Sequence, residues 1–166
     1  MKQHSEAEAA RVELLYRQHS AALVLYATAI AGERSRAQDI VHEVFARFME
    51  EGVASHVLDI KAYLFACVRN GMRNETKRMQ RNVEFDPKFS WFVPPQRDFA
   101  AERQLRNALL ALSEEQREVV VMHIWGELTF AQIAEILDAS ANTVASRYRY
   151  ALASLRDVFH AKEFSL

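Results

Sequence analysis

Cysteine is nearly absent from this sequence, with Cys67 alone among 166 residues. A single cysteine excludes an internal disulfide and a cysteine-rich zinc site, and it indicates a small buried side chain in a reducing compartment. The six histidines show no metal-ligand spacing such as HExxH, and the chain has no glycine-rich phosphate loop. We therefore expect no metal, no cofactor and no enzymatic activity.

Long apolar runs are also missing. No segment reaches the roughly 18 uncharged apolar residues that a membrane-spanning helix needs, and no apolar run near the N-terminus precedes a small-residue cleavage site. Half of the residues (50%) are nonetheless hydrophobic, which is enough to build a buried core. We expect a soluble cytosolic protein without membrane insertion.

Glycine and proline are scarce, at four and three residues, and all three prolines lie in the stretch VEFDPKFSWFVPPQRDF. This distribution predicts long helices on either side of one break. The expected fold is all-α, with a helical domain at 1–82, a linker rich in proline and aromatic residues at 83–104, and a second helical domain at 105–166. The aromatic residues of this linker are Phe85, Phe89, Trp91, Phe92 and Phe99.

Apolar periodicity predicts three helices in the first domain. The first covers 6–31 and ends at Gly32. The second begins with Ser35 as its N-cap, and the third begins near Asp59. The apolar face expected to be buried in the second helix consists of Ile40, Val41, Val44, Phe45, Phe48 and Met49.

The second domain carries several helix-capping signals. A helix is expected from about Ala100, and Ser113 with Gln116 makes a capping box for the next one, which ends near Gly126. A short helix then follows in TFAQIAEILDAS, and residues 138–140 form a tight turn in which Ser140 caps the last helix. Two short helices joined in this way are typical of a helix-turn-helix.

The net charge of -1 conceals strong segregation of charge. Residues 60–82 hold six basic residues and one acidic residue, a local net charge of +5. Residues 105–138 hold six acidic and two basic residues, a local net charge of -4, and the next 18 residues contain no acid at all. A helix of one sign indicates an anionic partner.

The last helix places Asn142, Ser146 and Arg149 on the face opposite its apolar residues. Small and polar side chains permit close approach to a major groove, where Arg and Asn pair with base edges. Thr143 and Arg147 lie at the flanks, where they would contact phosphate. The alternative is an ordinary surface helix, which the absence of acid and the preceding turn make less favoured.

Cationic or aromatic residues recur at every fourth position of the third helix and form a basic stripe along it. Its members are Lys61, Phe65, Arg69, Arg73, Lys77 and Arg81. Such a stripe suits single-stranded or melting DNA, although a solvated charged face is an equally good interpretation of this signal alone. The second helix presents Asp39, His42 and Glu43 outward. It is either an amphipathic core helix, which is the favoured interpretation, or a docking surface for a partner helix.

Nearly the whole chain resembles the extracytoplasmic-function (ECF) sigma factors of the sigma-70 family. LYRQHSAALVLYATAIAGERSRAQDIVHEVFARF is similar to conserved regions 2.1 and 2.2, and IKAYLFACVRNGMRNETKRMQR to regions 2.3 and 2.4. LSEEQREVVVMHIWGELTFAQIAEILDASANTVASRYRYALASLRDVF is similar to regions 4.1 and 4.2. The resemblance implies a bacterial cytoplasmic protein that is monomeric when free.

The resemblance also implies a function and a set of site residues. The chain would bind the beta and beta-prime subunits of core RNA polymerase, direct it to promoter DNA, and be held by an anti-sigma factor. Contacts to the promoter minus-35 element are implied at Ser140, Asn142, Thr143, Ala145, Ser146, Arg147, Arg149 and Tyr150. Contacts to the minus-10 element are implied at Lys61, Tyr63, Phe65, Arg69, Asn70, Arg73, Lys77 and Arg78. Polymerase contacts are implied at Asp39, His42, Glu43 and Phe45.

A second hypothesis is a helix-turn-helix regulator, or a mimic of a sigma factor, whose first domain binds a protein other than polymerase. It predicts that the isolated second domain binds a specific duplex tightly, whereas the same domain of a sigma factor binds weakly without core polymerase.

Overall fold

The computed structural model describes residues 2–79 and 99–163, with side chains at 6–77, 100 and 103–161. It contains α1 (Lys2–Ala31), α2 (Arg34–Glu51), α3 (Ile60–Met79), α4 (Phe99–Leu110), α5 (Glu114–Ile124), α6 (Phe130–Leu137) and α7 (Ala141–Glu163). No strand occurs in these ranges, so the all-α expectation is confirmed. No helix in the described ranges is long and apolar enough to cross a membrane. Phe85, Phe89, Trp91 and Phe92 lie outside the described residues.

Helices α1, α2 and α3 form the N-terminal domain. Their apolar faces meet in a core that includes Leu23, Val41, Leu64 and Val68, each fully buried. Helix α3 approaches α2 closely at Gly71, where an added Cβ would lie 3.0 Å from a methyl carbon of Ile40. Small size at this position therefore sets the spacing between α2 and α3.

Two helix starts in this domain differ in their capping. Asp59 caps α3, because its Oδ1 accepts the amide hydrogen of Ala62 over 3.1 Å. The expectation that Ser35 caps α2 is wrong, since the helix begins at Arg34 after an N-cap residue, Glu33, that makes no side-chain cap. The Ser35 hydroxyl instead donates to a carboxylate oxygen of Glu33 at 2.7 Å.

Helices α4 to α7 form the C-terminal domain, and α4 begins at Phe99, inside the segment predicted as linker. The capping box of Ser113 and Gln116 at the start of α5 is confirmed. Thr129 and Gln132 form a second one at the start of α6. These caps set the beginnings of the two helices that support α7.

The two domains pack against each other through α1 and α3 on one side and α5 and α6 on the other. One continuous buried apolar cluster runs through both, from Tyr26 and Phe65 to Val119 and Met122. Gly126 lies at this contact, where an added Cβ would be 2.8 Å from Cζ of Phe65 and 2.5 Å from the Met122 carbonyl oxygen. Only glycine fits this approach.

Candidate nucleic-acid interface

The helix-turn-helix predicted from the sequence is present in the C-terminal domain. Helix α6 ends at Leu137, and Asp138 adopts a left-handed conformation (φ 52°, ψ 50°) that redirects the chain. Ser140 then caps α7, because its Oγ accepts the amide hydrogen of Thr143 over 3.1 Å. Three residues thus join α6 to α7, as expected for this motif.

Helix α7 buries one face and exposes the other. Val144 and Ala151 are completely buried, while Asn142, Thr143, Arg149 and Tyr150 are exposed. The remaining predicted minus-35 residues of this helix, Ala145, Ser146 and Arg147, are half-buried, and Ser140 just before it is exposed. The exposed face is small, polar and cationic, which suits a helix that enters a major groove.

The two arginines of this face are held differently. Arg147 forms an ion pair with Glu115 of α5 at 3.3 Å, so it is tied to its own domain. Arg149 pairs with no carboxylate among the described ion pairs, and its guanidinium carbon lies 5.3 Å from the ring centre of Tyr150. The Tyr150 ring steadies Arg149 through a cation–π contact and leaves its donors available.

Sequence reasoning missed His123, which links α5 to the helix-turn-helix. Its Nδ1 donates to the Leu128 carbonyl oxygen over 2.8 Å. Its ring centre lies 4.6 Å from that of Phe130 and 4.8 Å from that of Tyr148. One side chain therefore joins α5, α6 and α7, and it fixes the angle at which α7 is presented.

The basic stripe on α3 is only partly open. Asn70, Arg73 and Lys77 are exposed, and Lys61 and Tyr63 are half-buried. The Lys61 ammonium donates to the Glu127 carbonyl oxygen of the C-terminal domain over 3.3 Å. The side chain of Arg78 lies outside the described residues.

Phe65 and Arg69 are not on an open face, which corrects the expectation of a continuous exposed stripe. Phe65 has no exposed surface and packs on Tyr26, with the ring centres 5.5 Å apart. The Arg69 side chain is 18% exposed, and its Nε donates to a carboxylate oxygen of Glu118 over 2.9 Å. The cause is the C-terminal domain, which covers this part of α3.

Glu118 is the one charged side chain that is buried in the described part of the chain, at 5% exposure. Its Oε1 accepts hydrogen bonds from the Tyr26 hydroxyl at 2.9 Å and from Arg69. Burial opposes the charge on Arg69, but the hydrogen bond and charge of Glu118 outweigh it and raise the pKa of Arg69. Each partner thus compensates the desolvation of the other.

The buried tyrosine makes this contact sensitive to alkaline pH. Burial, together with the negative charge of Glu118, raises the pKa of Tyr26 well above its ordinary value of 10.0. The stabilisation is therefore complete below about pH 10 and is lost as the pH rises through the raised pKa.

We expect a late-ionising tyrosine component in an absorbance titration at 295 nm, coincident with loosening of the domain contact. The Tyr26→Phe variant should lack the latest part of that component, while Tyr63, whose pKa is also raised above its ordinary value, and the other three tyrosines titrate as before. Finding the late component unchanged in Tyr26→Phe would contradict this assignment.

Helix α2 presents a separate face away from the domain contact. Asp39, His42 and Glu43 are exposed there, and Phe45 is buried beneath them at 5% exposure. The Tyr16 hydroxyl and the His42 Nε2 lie 3.0 Å apart, and the Tyr16 ring meets Phe45 edge to face at 5.1 Å. Tyr16 was not predicted, because it comes from α1.

A shallow apolar groove of about 520 Å³ runs beside this face between α1 and α2. Tyr16, Phe45 and Met49 line it. Met49 is 54% exposed, so the expectation that it is buried is wrong. Apolar surface beside three exposed polar residues is the composition of a protein-docking site.

Comparison with known proteins identifies both halves of the chain. The family models described as Sigma-70 region 2 and Sigma-70 region 4 match residues 15–82 and 102–155. The chain is 33% identical over 160 residues to the ECF RNA polymerase sigma factor SigL of Mycobacterium tuberculosis, covering 90% of this chain and 89% of that protein.

Two solved structures share the fold. One is the sigma factor RpoE in complex with the anti-sigma factor NepR from Bartonella quintana, with a TM-score of 0.68 at 20% identity over 89% of this chain and 96% of that one. The other is CnrH in complex with the cytosolic domain of CnrY, with a TM-score of 0.68 at 21% identity over 96% and 94% of the two chains.

Proposed function

Because this chain belongs to the ECF sigma factors of the sigma-70 family, we propose that its two helical domains recognise the two promoter elements while α2 holds core polymerase. The protein is an alternative sigma factor, which binds core RNA polymerase and directs promoter-specific initiation. The proposed division of roles between the domains rests on the two cationic helices, α3 in the N-terminal domain and α7 in the C-terminal domain.

The C-terminal domain is the minus-35 reader in this proposal. Arg149 is exposed and steadied by Tyr150, and Asn142 is exposed in the first turn of the helix, two residues after the Ser140 cap. These two donors reach base edges, while Ser140 and Thr143 at the helix start contact phosphate. Ser146 is half-buried between them, and Ala145 leaves space for close approach. Arg147 reaches phosphate only if its ion pair with Glu115 is released.

The N-terminal domain is the minus-10 domain. Asn70, Arg73 and Lys77 are exposed along one side of α3 and are placed to contact a separated strand. Lys61 and Tyr63 extend this surface, and Arg78 follows it in sequence. Phe65 and Arg69 join it only when the C-terminal domain moves away.

The exposed face of α2 is the polymerase contact. Asp39, His42 and Glu43 provide polar partners, and the adjoining groove provides apolar surface. Phe45 supports the face from below, and Tyr16 orients His42. Because one of the neighbouring solved structures is a sigma factor in complex with an anti-sigma factor, we also propose an anti-sigma factor as a partner of this chain. The free protein is proposed to be a monomer.

Asp39→Ala is expected to weaken core binding on every promoter, by roughly 5- to 30-fold if the contact is worth 1–2 kcal/mol. Glu50→Ala is the matched control, since Glu50 is an exposed acid on the same helix. The measurement is the dissociation constant of the labelled chain for core polymerase, determined without DNA. Equal affinity of Asp39→Ala and wild type for core polymerase would show that Asp39 does not contribute to the interface.

The rival hypothesis, a helix-turn-helix regulator acting through another protein, differs in the behaviour of the full chain with duplex DNA. It predicts tight sequence-specific binding without polymerase. A sigma factor is expected to bind a promoter duplex weakly alone and strongly after core polymerase is added.

A further inference from the structure

The acidic segment at 105–138 holds none of the residues proposed to contact DNA, and the structure shows which parts of the chain it contacts. Its helices α5 and α6 lie against α1 and the basic helix α3. Part of the segment of local charge -4 therefore lies against part of the segment of local charge +5. Charge complementarity of this kind favours association of the two surfaces.

Specific polar contacts join the two surfaces. Glu118 accepts from Arg69 and Tyr26, and the Arg117 Nη1 donates to the Ala29 carbonyl oxygen over 3.1 Å. Lys61 donates to the Glu127 carbonyl oxygen, and the Gln132 amide donates to the Asp59 carboxylate. Lys61 and Arg69 of the predicted DNA stripe thus each donate a hydrogen bond to the C-terminal domain.

This arrangement is incompatible with contact to both promoter elements by one molecule. The two elements are separated by about 25 base pairs, roughly 85 Å of duplex at 3.4 Å per base pair. A compact chain of 166 residues has a radius of gyration of only about 15 Å. The C-terminal domain must leave α3 before both elements can be bound.

We propose that the C-terminal domain is an intramolecular ligand of the minus-10 surface, with the Glu118 carboxylate occupying Arg69 in place of a DNA phosphate. In the closed state Arg69 and Phe65 are covered while the polymerase face of α2 stays open. Release of the C-terminal domain exposes both residues. The role of these residues toward DNA rests on the proposed function, whereas the closed state itself does not.

Glu118→Gln tests the closed state because it leaves Arg69 in the contact without a charged partner. Breaking one side of a buried ion pair is expected to shift the equilibrium toward the open state by on the order of 10- to 100-fold. Glu135→Gln is the matched control, since Glu135 is an exposed acid on α6 of the same domain. Tyr26→Phe is a milder second variant that removes the other hydrogen bond.

The distance between the domains is measured by pulsed electron resonance on the full-length protein. Spin labels are attached at Leu58→Cys and Ala131→Cys in a Cys67→Ala background. Both positions are exposed, and each adjoins a residue of the Asp59–Gln132 contact. We expect one short distance in the parent protein and in Glu135→Gln, and a longer, broader distribution in Glu118→Gln. A circular dichroism spectrum establishes that each variant remains helical.

Binding of a fluorescent 20-nucleotide single-stranded DNA of mixed sequence is measured on the same proteins without labels. Affinity should increase roughly tenfold in Glu118→Gln and much less in Glu135→Gln, because both lose one negative charge but only one frees Arg69. A parent protein that is already open, or a distance unchanged by Glu118→Gln, would overturn the proposal. If the domains of Glu118→Gln separate but its affinity for DNA does not increase, the proposed competition between Glu118 and DNA for Arg69 is wrong. Failure to bind core polymerase would instead refute the sigma-factor assignment and leave the distance measurement intact.

Discussion

Arg149→Ala is expected to change the choice of promoter rather than the overall level of transcription. Arg149 is exposed on the groove-facing side of α7, held by Tyr150 and unpaired with any carboxylate in the described ion pairs. A bidentate contact from Arg to guanine contributes about 1–3 kcal/mol of discrimination, or roughly 5- to 150-fold. Transcription from promoters with guanine at the contacted position should decrease by that factor, and transcription from promoters without it should change little.

Arg156→Ala is the matched control for this experiment. It removes the same charge from an exposed position two turns farther along α7, about 10 Å from Arg149 at 1.5 Å per residue. The measurement is run-off transcription from a set of minus-35 sequence variants. A uniform decrease on all promoters with Arg149→Ala would show that Arg149 contacts phosphate instead of bases.

Phe65→Ala is expected to destabilise the protein by about 3–5 kcal/mol, because a fully buried aromatic ring is replaced by a cavity. Phe65 has no exposed surface, packs on Tyr26 and lies against Gly126. Truncation of an aromatic residue on an exposed DNA-binding face would change the free energy of unfolding by no more than about 0.5 kcal/mol. The size of the loss in the free energy of unfolding therefore distinguishes a buried Phe65 ring from one on an exposed face.

The comparison is made by urea denaturation followed by circular dichroism. Phe159→Ala is the control, since Phe159 is 42% exposed near the end of α7 and should cost little. Equal stability of Phe65→Ala and wild type would mean that the ring is solvent-exposed in the free protein, and the closed arrangement of the domains would be wrong.

Local sequence signals predicted most of the fold. The capping box of Ser113 and Gln116, the turn at Asp138 and the cap at Ser140 depend on residues within a few positions of one another, so their chemistry can be recognised without tertiary structure. The division of α7 into a buried and an exposed face follows from its periodicity in the same way. The candidate minus-35 residues on α7 therefore needed no knowledge of packing.

The minus-10 surface could not be predicted to the same degree, because its exposure depends on a distant part of the chain. Arg69 and Glu118 are 49 positions apart and Tyr26 and Glu118 are 92 apart, so no local pattern relates them. Spacing alone placed Phe65 and Arg69 on one face of α3. It did not indicate that the acidic segment, recognised from its charge, would lie on that face.

The error at Met49 has a similar origin. Its spacing in α2 matches the apolar face, but α1 and α2 leave a groove there and the side chain remains 54% exposed. The same groove adjoins Tyr16, whose contact with His42 joins two helices 26 positions apart in sequence. Both features belong to the surface proposed for polymerase.

The most direct test of the central claim is run-off transcription with purified core polymerase on a library of genomic fragments from the source bacterium. Core alone supplies the background, and Asp39→Ala supplies a variant impaired in core binding. We predict discrete transcripts from a limited set of promoters when the wild-type chain is added, with a general decrease for Asp39→Ala. Failure of the chain to bind core polymerase, or absence of chain-dependent transcripts from every fragment, would contradict its role as a sigma factor.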